Sequence, residues 1–151
     1  MKCIVTGGAG FIGSHLVEEL IKCNYKVIVL DNLISGNLTN LKKVSKNITF
    51  IKCDLSKNKN SWSKYFKNAD YVFHLAAMAD IVPSIDNPEL YYNANVLSSL
   101  NVMQACKKYK IKKIIYAASS SCYGIPKKYP TDEKEIIDPR YPYALTKYLG
   151  E

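Results

Sequence analysis

The chain has 151 residues, of which 48% are hydrophobic and 23% are charged, and these values exclude a disordered chain and a coiled coil. A chain of this length can form one globular domain with a substantial core and is too short for two. Lysine and arginine number 21 against 13 aspartate and glutamate, which gives a formal charge of +8. This surplus is compatible with nucleic acid, a phosphorylated ligand or simply a lysine-rich surface, so charge alone selects no partner.

The five cysteines are scattered along the chain, and no two of them form a Cys-x-x-Cys pair. Neither a disulfide framework nor a zinc site is indicated, so no metal is expected, and a reducing cytoplasm suits such thiols best. The first residues lack the apolar segment of a signal peptide. No stretch approaches the ~20 apolar residues that a membrane span needs, so no membrane association is expected.

Short apolar runs alternate with helical patterns along the whole chain. A buried strand is predicted over 3–5, followed by a helix over 11–22 whose residues Ile12, Leu16 and Leu20 share one face. The next predicted elements are a strand over 27–30, a loop over 31–46 with a short helix near 38–44, a strand over 49–51, a polar loop over 57–60, a short helix over 62–66 and a strand over 71–75.

The longest helix is predicted to begin at Asn87, where a capping side chain, a proline in the first turn and the acidic Glu89 coincide. It runs to the basic pair at 107–108. Its apolar stripe, spaced by three and four residues, consists of Tyr92, Val96, Leu100, Met103 and Cys106. A fifth strand over 113–117 and a last helix opening near Pro142 complete the pattern.

This alternation predicts an α/β fold over residues 1–151. The fold is a doubly wound, mostly parallel sheet of the Rossmann type with helices on both faces, because parallel neighbours require crossover connections. The last helix has run only about two turns at Glu151, with no glycine cap or breaker after it. We interpret this ending as a cut that precedes the last strands of the sheet.

A glycine-rich turn, Gly-Gly-Ala-Gly-Phe-Ile-Gly over 7–13, lies directly between the first strand and the first helix. Gly7 can form the tight turn, Gly10 permits close approach to a pyrophosphate, and Gly13 permits the helix to pack on the strand. The helix N-terminus favours negative charge there. The pattern therefore predicts a dinucleotide site, and the alternative is a glycine-rich connection without a ligand.

Asp31 ends the second strand, where a carboxylate can accept hydrogen bonds from the adenosine ribose and repel a 2′-phosphate. NAD is therefore favoured over NADP, although an ordinary turn aspartate is the alternative. Asp54, followed by Leu55, ends the third strand at the same edge of the sheet. Asp54 is placed to reach the adenine, and a turn-forming aspartate explains it nearly as well.

The fourth strand ends in His74, Leu75, Ala76 and Ala77. The two alanines let the backbone approach a flat ring, which predicts a cofactor contact there. His74 itself is expected to be a packed or capping histidine rather than a catalyst.

Three serines, Ser119, Ser120 and Ser121, follow the fifth strand at the sheet edge where open α/β folds bind ligands. Tyr143 and Lys147 are four residues apart and so share one face of the last helix. A free phenol titrates near ~10, but a nearby ammonium and a cationic nicotinamide both stabilise its phenolate. Tyr143 could then exchange a proton with a substrate hydroxyl while hydride passes to or from the cofactor. Such a pair is common on solvated helix surfaces, so it indicates a catalytic role only in combination with the dinucleotide turn.

Together these motifs resemble the extended short-chain dehydrogenase/reductases that modify sugar nucleotides, especially the UDP-glucose 4-epimerase-like members. The resemblance covers essentially the whole chain through Thr6 to Gly13, Asp31 to Leu33, Asp54-Leu55, His74 to Ala77, Asn95-Val96, Ser119 to Gly124 and Pro142 to Lys147. It implies that NAD is bound by Gly7, Gly10, Phe11, Ile12, Gly13, Asp31, Asn32, Asp54, Leu55, Leu75, Ala76, Ala77, Tyr143 and Lys147.

By the same resemblance, the catalytic hydroxyl residue of the family falls on Ser119. Tyr143 matches the family's base, and Lys147 matches its cofactor-binding lysine. The substrate is implied to be a nucleotide sugar, most simply a UDP-sugar, in contact with Ser84, Ser119, Ser120 and Tyr143.

Family dehydratases place carboxylates shortly after the hydroxyl residue, because 4,6-elimination needs one group to take the C5 proton and another to protonate the leaving oxygen. Here Ser120 and Ser121 hold those positions and do not ionise. The resemblance therefore implies an NAD-dependent nucleotide-sugar 4-epimerase, with a related oxidoreductase or dehydratase as the alternative. It also implies a C-terminal substrate domain absent here, an inactive fragment, and a full-length homodimer through the helix over 88–109 and the last helix.

A second class of function is a non-catalytic NAD-binding regulatory module. Such a module could contact RNA through Lys107, Lys108, Lys110, Lys112 and Lys113. No aromatic platform accompanies these lysines, so a solvated face explains them more simply and no nucleic-acid partner is expected. Loss of turnover on replacing the predicted catalytic tyrosine would distinguish the enzyme from the module.

Overall fold

A computed structural model describes residues 1–57 and 59–151. The strands are Lys2–Thr6 (β1), Lys26–Asp31 (β2), Ile48–Lys52 (β3), Tyr71–His74 (β4) and Lys113–Tyr116 (β5). The α-helices are Phe11–Lys22 (α1), Lys59–Ser63 (α2), Val82–Asp86 (α3), Pro88–Tyr91 (α4), Ser98–Lys108 (α5) and Pro142–Tyr148 (α6). Short 3-10 helices cover Leu38–Asn47, Lys64–Phe66 and Ser120–Tyr123, and a π-helical segment over Tyr92–Leu97 joins α4 to α5.

The five strands form one parallel sheet in the order β3-β2-β1-β4-β5. The central strand β1 pairs Ile4 with Ile28 on one side and with Val72 on the other. All three side chains are buried, as expected for parallel strands covered on both faces. The chain proceeds from β1 to one side and later returns to its other side, which opens a crevice at the carboxyl ends of β1 and β4. The predicted doubly wound sheet is confirmed.

Side chains of the central strands alternate between two apolar layers, because successive residues of a strand point to opposite faces. One layer, packed beneath α1, contains Cys3, Val5, Ala9, Val17, Leu20, Val27, Val29 and Leu41. The opposite layer, against α2 and α5, contains Ile4, Ile28, Leu30, Leu55, Trp62, Phe66, Ala69, Val72, Val102 and Ala105. The glycine turn and the last residues of β4 lie between these layers at one edge of the sheet.

The predicted strands match the observed ones to within one residue at each end, and α1 has the predicted bounds. The predicted long helix is divided into α4, the π-helical segment and α5. Asn87 makes no side-chain capping bond, because it also ends α3, where its N–H donates to the carbonyl of Pro83. The expected cap at Asn87 is therefore wrong.

Two of the less regular segments differ in detail from the sequence prediction. The predicted polar loop over 57–60 includes Asn58, which lies outside the described residues, and α2 begins within that range at Lys59. The helix predicted near 38–44 is a 3-10 helix that Asn37 caps by accepting from the N–H of Thr39. In the described part of the chain, no helix combines the length and apolar character needed to cross a membrane.

Candidate active site

The glycine turn is shaped by close packing at two of its glycines. Gly7 has a φ of +68°, and a Cβ there would lie 2.7 Å from the backbone nitrogen of Ala76. A Cβ on Gly13 would lie 2.7 Å from the Cα of Gly8. Gly10 differs, because among the described residues its Cβ would meet only the carbonyl oxygen of Gly7, at 3.3 Å. The turn is thus less crowded at the glycine predicted to approach a pyrophosphate than at Gly7 or Gly13.

Helix α1 presents unbonded backbone amides at this turn. Its cap residue Gly10 has no side chain to accept from them, and the first helical bond runs from the N–H of Ser14 to the carbonyl of Gly10. The N–H groups of Phe11, Ile12 and Gly13 precede that bond, and the first two side chains are exposed. These amides and the helix dipole make the turn suitable for an anion.

Asp31 holds the turn in place while lining the crevice. One carboxylate oxygen accepts from the N–H of Ala9 at 2.9 Å and the other from the N–H of Leu33 at 2.8 Å. Each oxygen keeps a lone pair for a further donor. The neighbouring Asn32 also lines the crevice, and its side-chain oxygen accepts from the N–H of Ile34. The predicted ribose-binding pair therefore has an additional structural role that the sequence did not reveal.

A crevice extends from the glycine turn along the carboxyl ends of β1, β2 and β4. Predicted residues that line it are Gly7, Gly10, Asp31, Asn32, Leu55, Leu75, Ala76 and Ala77. Further lining residues that the sequence analysis did not single out are Leu30, Ile34, Ser35, Cys53, Met78, Ala94 and Ser98. Burial raises the pKa of Cys53 to about 12, so this thiol stays protonated at neutral pH.

Asp54 makes the contacts of a turn-forming aspartate. One of its oxygens accepts from both the N–H and the hydroxyl of Ser56, at 2.9 and 2.6 Å. Its other oxygen lies 3.7 Å from the ammonium of Lys57. The predicted contact of Asp54 with an adenine stays a prediction.

The predicted serine and tyrosine meet at the carboxyl end of β5. The hydroxyl of Tyr143, from α6, donates to the Oγ of Ser119 at 3.3 Å, which is a long hydrogen bond. The Oγ atoms of Ser119 and Ser121 are 2.7 Å apart. Ser119 is therefore the point at which the β5 loop and the last helix come together.

Lys147 lies one turn after Tyr143 and is only 4% exposed. Its Nζ donates to the carbonyl of Ala117 at 2.6 Å and lies 4.3 Å from the ring centroid of Tyr116. Within the described residues, no carboxylate lies within ion-pair distance of it. Burial lowers the pKa of Lys147 to about 8.

His74 is fully enclosed and uncharged. Its Nε2 lies 3.0 Å from the Oγ of Ser99, which itself donates to the carbonyl of Asn95, so Nε2 carries the proton. Its Nδ1 accepts from the hydroxyl of Thr6 at 2.6 Å. Burial first, and then the charge of Lys147, lower the pKa of His74 to about 3. The expectation of a packed histidine is confirmed.

Among the described residues, the two other predicted substrate residues make no side-chain hydrogen bond to Ser119, Tyr143 or Lys147. Ser84 is fully buried, and its hydroxyl donates to the carbonyl of Ile81. Ser120 is exposed at the start of a 3-10 helix. Their contacts with a substrate stay predictions.

Asn95 is a buried polar residue whose structural role the sequence did not show. Its side-chain oxygen accepts from the N–H of Met78 at 2.7 Å, and its amide donates to the carbonyl of Met78 and to the hydroxyl of Thr146. It thereby ties the crevice backbone after β4 to α6. The available signal was that Asn95, with Val96, belongs to the motifs that carry the family resemblance.

Comparisons with known proteins agree with this arrangement. The model of the NAD dependent epimerase/dehydratase family matches residues 3–151. The UDP-glucose 4-epimerase of Bacillus subtilis (strain 168) is 34% identical over 156 residues, which cover 100% of this chain and 46% of that protein. The chain thus spans about half the length of the curated relatives that it matches.

Two solved structures have similar folds. The UDP-N-acetylglucosamine 4-epimerase from Methanobrevibacter ruminantium M1, in complex with UDP-N-acetylmuramic acid, is 43% identical with a TM-score of 0.93, covering 99% of this chain and 48% of that one. The dTDP-glucose 4,6-dehydratase DesIV from Streptomyces venezuelae, with NAD and TYD bound, is 28% identical with a TM-score of 0.93, covering 99% and 49%. Epimerases and a dehydratase therefore share this architecture.

Proposed function

Because this chain belongs to the NAD-dependent epimerase/dehydratase family, we propose that it carries the cofactor-binding and catalytic residues of an NAD-dependent nucleotide-sugar 4-epimerase. The observation that carries the proposal is the hydrogen bond between Tyr143 and Ser119 at the carboxyl end of β5, where Lys147, one turn later on the same helix, donates to Ala117. A UDP-sugar is the proposed substrate, since the relatives include a UDP-glucose 4-epimerase and a UDP-N-acetylglucosamine 4-epimerase.

The residues present fit NAD. The space beside Gly10 and the unbonded amides at the start of α1 suit its pyrophosphate, and the carboxylate of Asp31 suits its adenosine ribose. Two of the three N–H donors of Lys147 remain after its bond to Ala117 and would hold the nicotinamide ribose. NAD bound there would supply the hydride acceptor and donor for reversible oxidation at the sugar C4.

The chain's own residues would handle the proton. Tyr143, in its phenolate form, removes the proton of the C4 hydroxyl and later returns it. Ser119 is held within reach of the tyrosine hydroxyl and would hydrogen-bond the reacting oxygen. Lys147 lies one helical turn after Tyr143, so it shares a face of α6 with the proposed base.

The residues after Ser119 favour epimerisation over dehydration. Elimination of water needs an acid and a base near C5 and C6, and Ser120 and Ser121 supply neither. Because a dehydratase has a similar fold, the fold alone does not distinguish epimerisation from dehydration. The serine hydroxyls make the epimerase the better-supported function, with an oxidoreductase using the same groups as the second candidate.

The remaining proposals concern the whole protein. Since the chain spans about half the length of its relatives, we expect a C-terminal substrate domain to complete the active site. The 151-residue chain then binds NAD without turning over substrate. The thiols of the five cysteines are free, which suits a reducing cytoplasm.

Replacement of the tyrosine tests the proposal. In a longer reading frame that includes the second half, Tyr143→Phe should lower epimerisation of UDP-sugars by about 10²–10⁴-fold, because a general base is lost. Calorimetric titration should show NAD binding retained. Tyr148→Phe, an exposed tyrosine on the same helix, serves as the control. Full activity of Tyr143→Phe would contradict the assigned base, and absence of NAD binding by the wild-type chain would overturn the function.

A further inference from the structure

Tyr116, the last residue of β5, contacts Lys147 at two separate points. The ring centroid of Tyr116 is 4.3 Å from the Nζ of Lys147. Its hydroxyl donates to the carbonyl oxygen of Lys147 at 3.1 Å. The carbonyl of the next residue, Ala117, accepts from the same Nζ. The end of β5 therefore contacts both the charge and the backbone of Lys147.

The charge of Lys147 needs such a partner. The side chain is almost completely buried, and no carboxylate within the described ranges is close enough to form an ion pair with it. Removing an ammonium from water costs free energy unless other groups compensate. The face of an aromatic ring is negative and attracts a cation, and the attraction is larger where water is excluded. The ring of Tyr116 supplies that compensation.

Tyr116 is itself held from two sides. The ring of His74, on the neighbouring strand β4, lies 5.7 Å from it with an interplanar angle of 41°. At the end of α6, a Cβ on Gly150 would collide with the hydroxyl of Tyr116, so the glycine leaves room for it. The tyrosine is thus fixed between the sheet and the helix that carries the catalytic residues.

We propose that Tyr116 is a positioning residue whose ring keeps the Lys147 ammonium charged at the end of β5. The consequence for NAD binding rests on the proposed function. The electrostatic contact between the ring and the ammonium is independent of that function. In relation to the mechanism, Tyr116 acts through Lys147 and touches neither substrate nor cofactor.

The first test measures the titration of Lys147 by NMR of lysine labelled at Cε. The wild-type pKa is lowered by burial to about 8. Tyr116→Leu removes the ring and should lower this pKa further, by about one unit, whereas Tyr116→Phe should leave it unchanged. Incorporating pentafluorophenylalanine at position 116 keeps the ring's shape but reverses its charge distribution, so it should lower the pKa even if the leucine variant folds poorly. An unchanged pKa in both the leucine and the fluorinated proteins would overturn the proposal.

The second test measures NAD affinity by calorimetry at two pH values. If the pKa falls from about 8 to about 7, the charged fraction of Lys147 at pH 8 falls about fivefold, and NAD affinity should fall with it, while at pH 6 both proteins bind nearly alike. Besides Tyr116, the titratable groups that interact electrostatically with Lys147 are His74 on β4 and Glu151 at the chain end. None of these is altered by the substitutions.

The outcomes separate the inference from the function. An equal loss of affinity by Tyr116→Leu at both pH values would indicate a merely structural role and overturn the proposal. Wild-type affinity in Tyr116→Phe, together with the pH-dependent loss in Tyr116→Leu, would support it. If the wild-type chain binds no NAD, the proposed function fails, and the titration of Lys147 alone decides the role of Tyr116.

Discussion

Two buried basic side chains near the candidate active site have opposite charge states. His74 and Lys147 are both less than 5% exposed. The ammonium of Lys147 has a carbonyl and an aromatic face as partners, whereas the ring of His74 is held by two hydroxyl groups that suit its neutral form. Burial and the lysine charge keep the pKa of His74 near 3. The site thus contains one buried cation rather than two that repel each other.

Because Lys147 is buried, the free energy of unfolding of the chain should vary with pH in the alkaline range. In the folded chain its pKa is about 8, against an ordinary value of 10.5. Between these values the unfolded state binds more protons, so the free energy of unfolding should rise with pH; below about 8 both states are protonated and this contribution is constant. Urea unfolding of wild type and Lys147→Met over this range should show the wild type gaining stability relative to the variant.

The control for this measurement is Lys128→Met, which removes an exposed lysine. The difference in the free energy of unfolding between the wild type and Lys128→Met should not rise between pH values of about 8 and 10.5. If the Lys147→Met difference were also flat over that interval, the ammonium would be solvated rather than buried. The comparison therefore isolates the titration of one side chain from that of the other lysines and tyrosines.

At the scale of elements, the sequence predicted the strands well because their apolar runs are continuous and buried on both faces. The three- and four-residue spacing of apolar residues predicted helix α5, but it did not predict which side of the helix is buried. Leu100 and Met103 from the predicted apolar stripe are exposed, while the polar Asn95 and Ser99 are buried. Periodicity cannot reveal this, because the buried polar groups are satisfied by partners such as His74 from a distant strand.

The candidate site, like the fold, was predicted only in part. The glycine turn, the three serines after β5 and the pair Tyr143 and Lys147 follow from motifs next to strand ends and a four-residue helical spacing. The choice of Ser119 among the serines came from the family resemblance. The contacts of Tyr116 could not be foreseen, since its ring meets Lys147 only after β5 and α6 pack together. Contacts between residues that are distant in the sequence leave no local pattern, so the sequence analysis did not predict them.

The turn before α1 offers a paired test of packing and binding. Gly13→Ala should lower the free energy of unfolding by about 1–3 kcal/mol, because the new methyl group would meet backbone atoms of Gly7 and Gly8 that cannot move aside. Gly10→Ala should fold nearly as well as the wild type but bind NAD more weakly, since its methyl group would project into open space next to the turn. Urea unfolding and calorimetric titration measure the two effects. Equal destabilisation by both variants would contradict the assignment of Gly10 to ligand approach.

The bond between Asn95 and Thr146 tests the link between the crevice and α6. Thr146 accepts from the side-chain amide of Asn95 at 3.0 Å and donates to the carbonyl of Tyr143 at 2.9 Å. Thr146→Val removes both bonds at nearly constant volume and should lower the free energy of unfolding by about 1–3 kcal/mol. Thr146→Ser keeps the hydroxyl and should stay closer to the wild type. Equal stability of the valine and serine variants in urea would show that the hydroxyl contributes nothing.

At the scale of the whole molecule, the exposed side chains of α5 have a simple interpretation. Tyr92, Leu100 and Met103 are exposed, and Tyr92 also lines a groove together with Leu145 of α6 and Leu149 just after it. Large contiguous apolar surfaces mark interaction faces. The family resemblance implies a full-length homodimer through the helix over 88–109 and the last helix, and we propose that these exposed apolar side chains lie in that interface.

A charge placed on this face should separate the dimer. Sedimentation analysis should show the wild-type chain associating with rising concentration, and Leu100→Glu should shift it to the monomer, because a buried interfacial carboxylate without a partner opposes association. Leu38→Glu is the matched control, since Leu38 is 50% exposed against 49% for Leu100 but lies on the separate 3-10 helix that follows β2. If both variants dissociate alike, the added charge acts non-specifically. If neither does, the helices α5 and α6 are not the interface, and these exposed apolar side chains must be covered by another part of the protein.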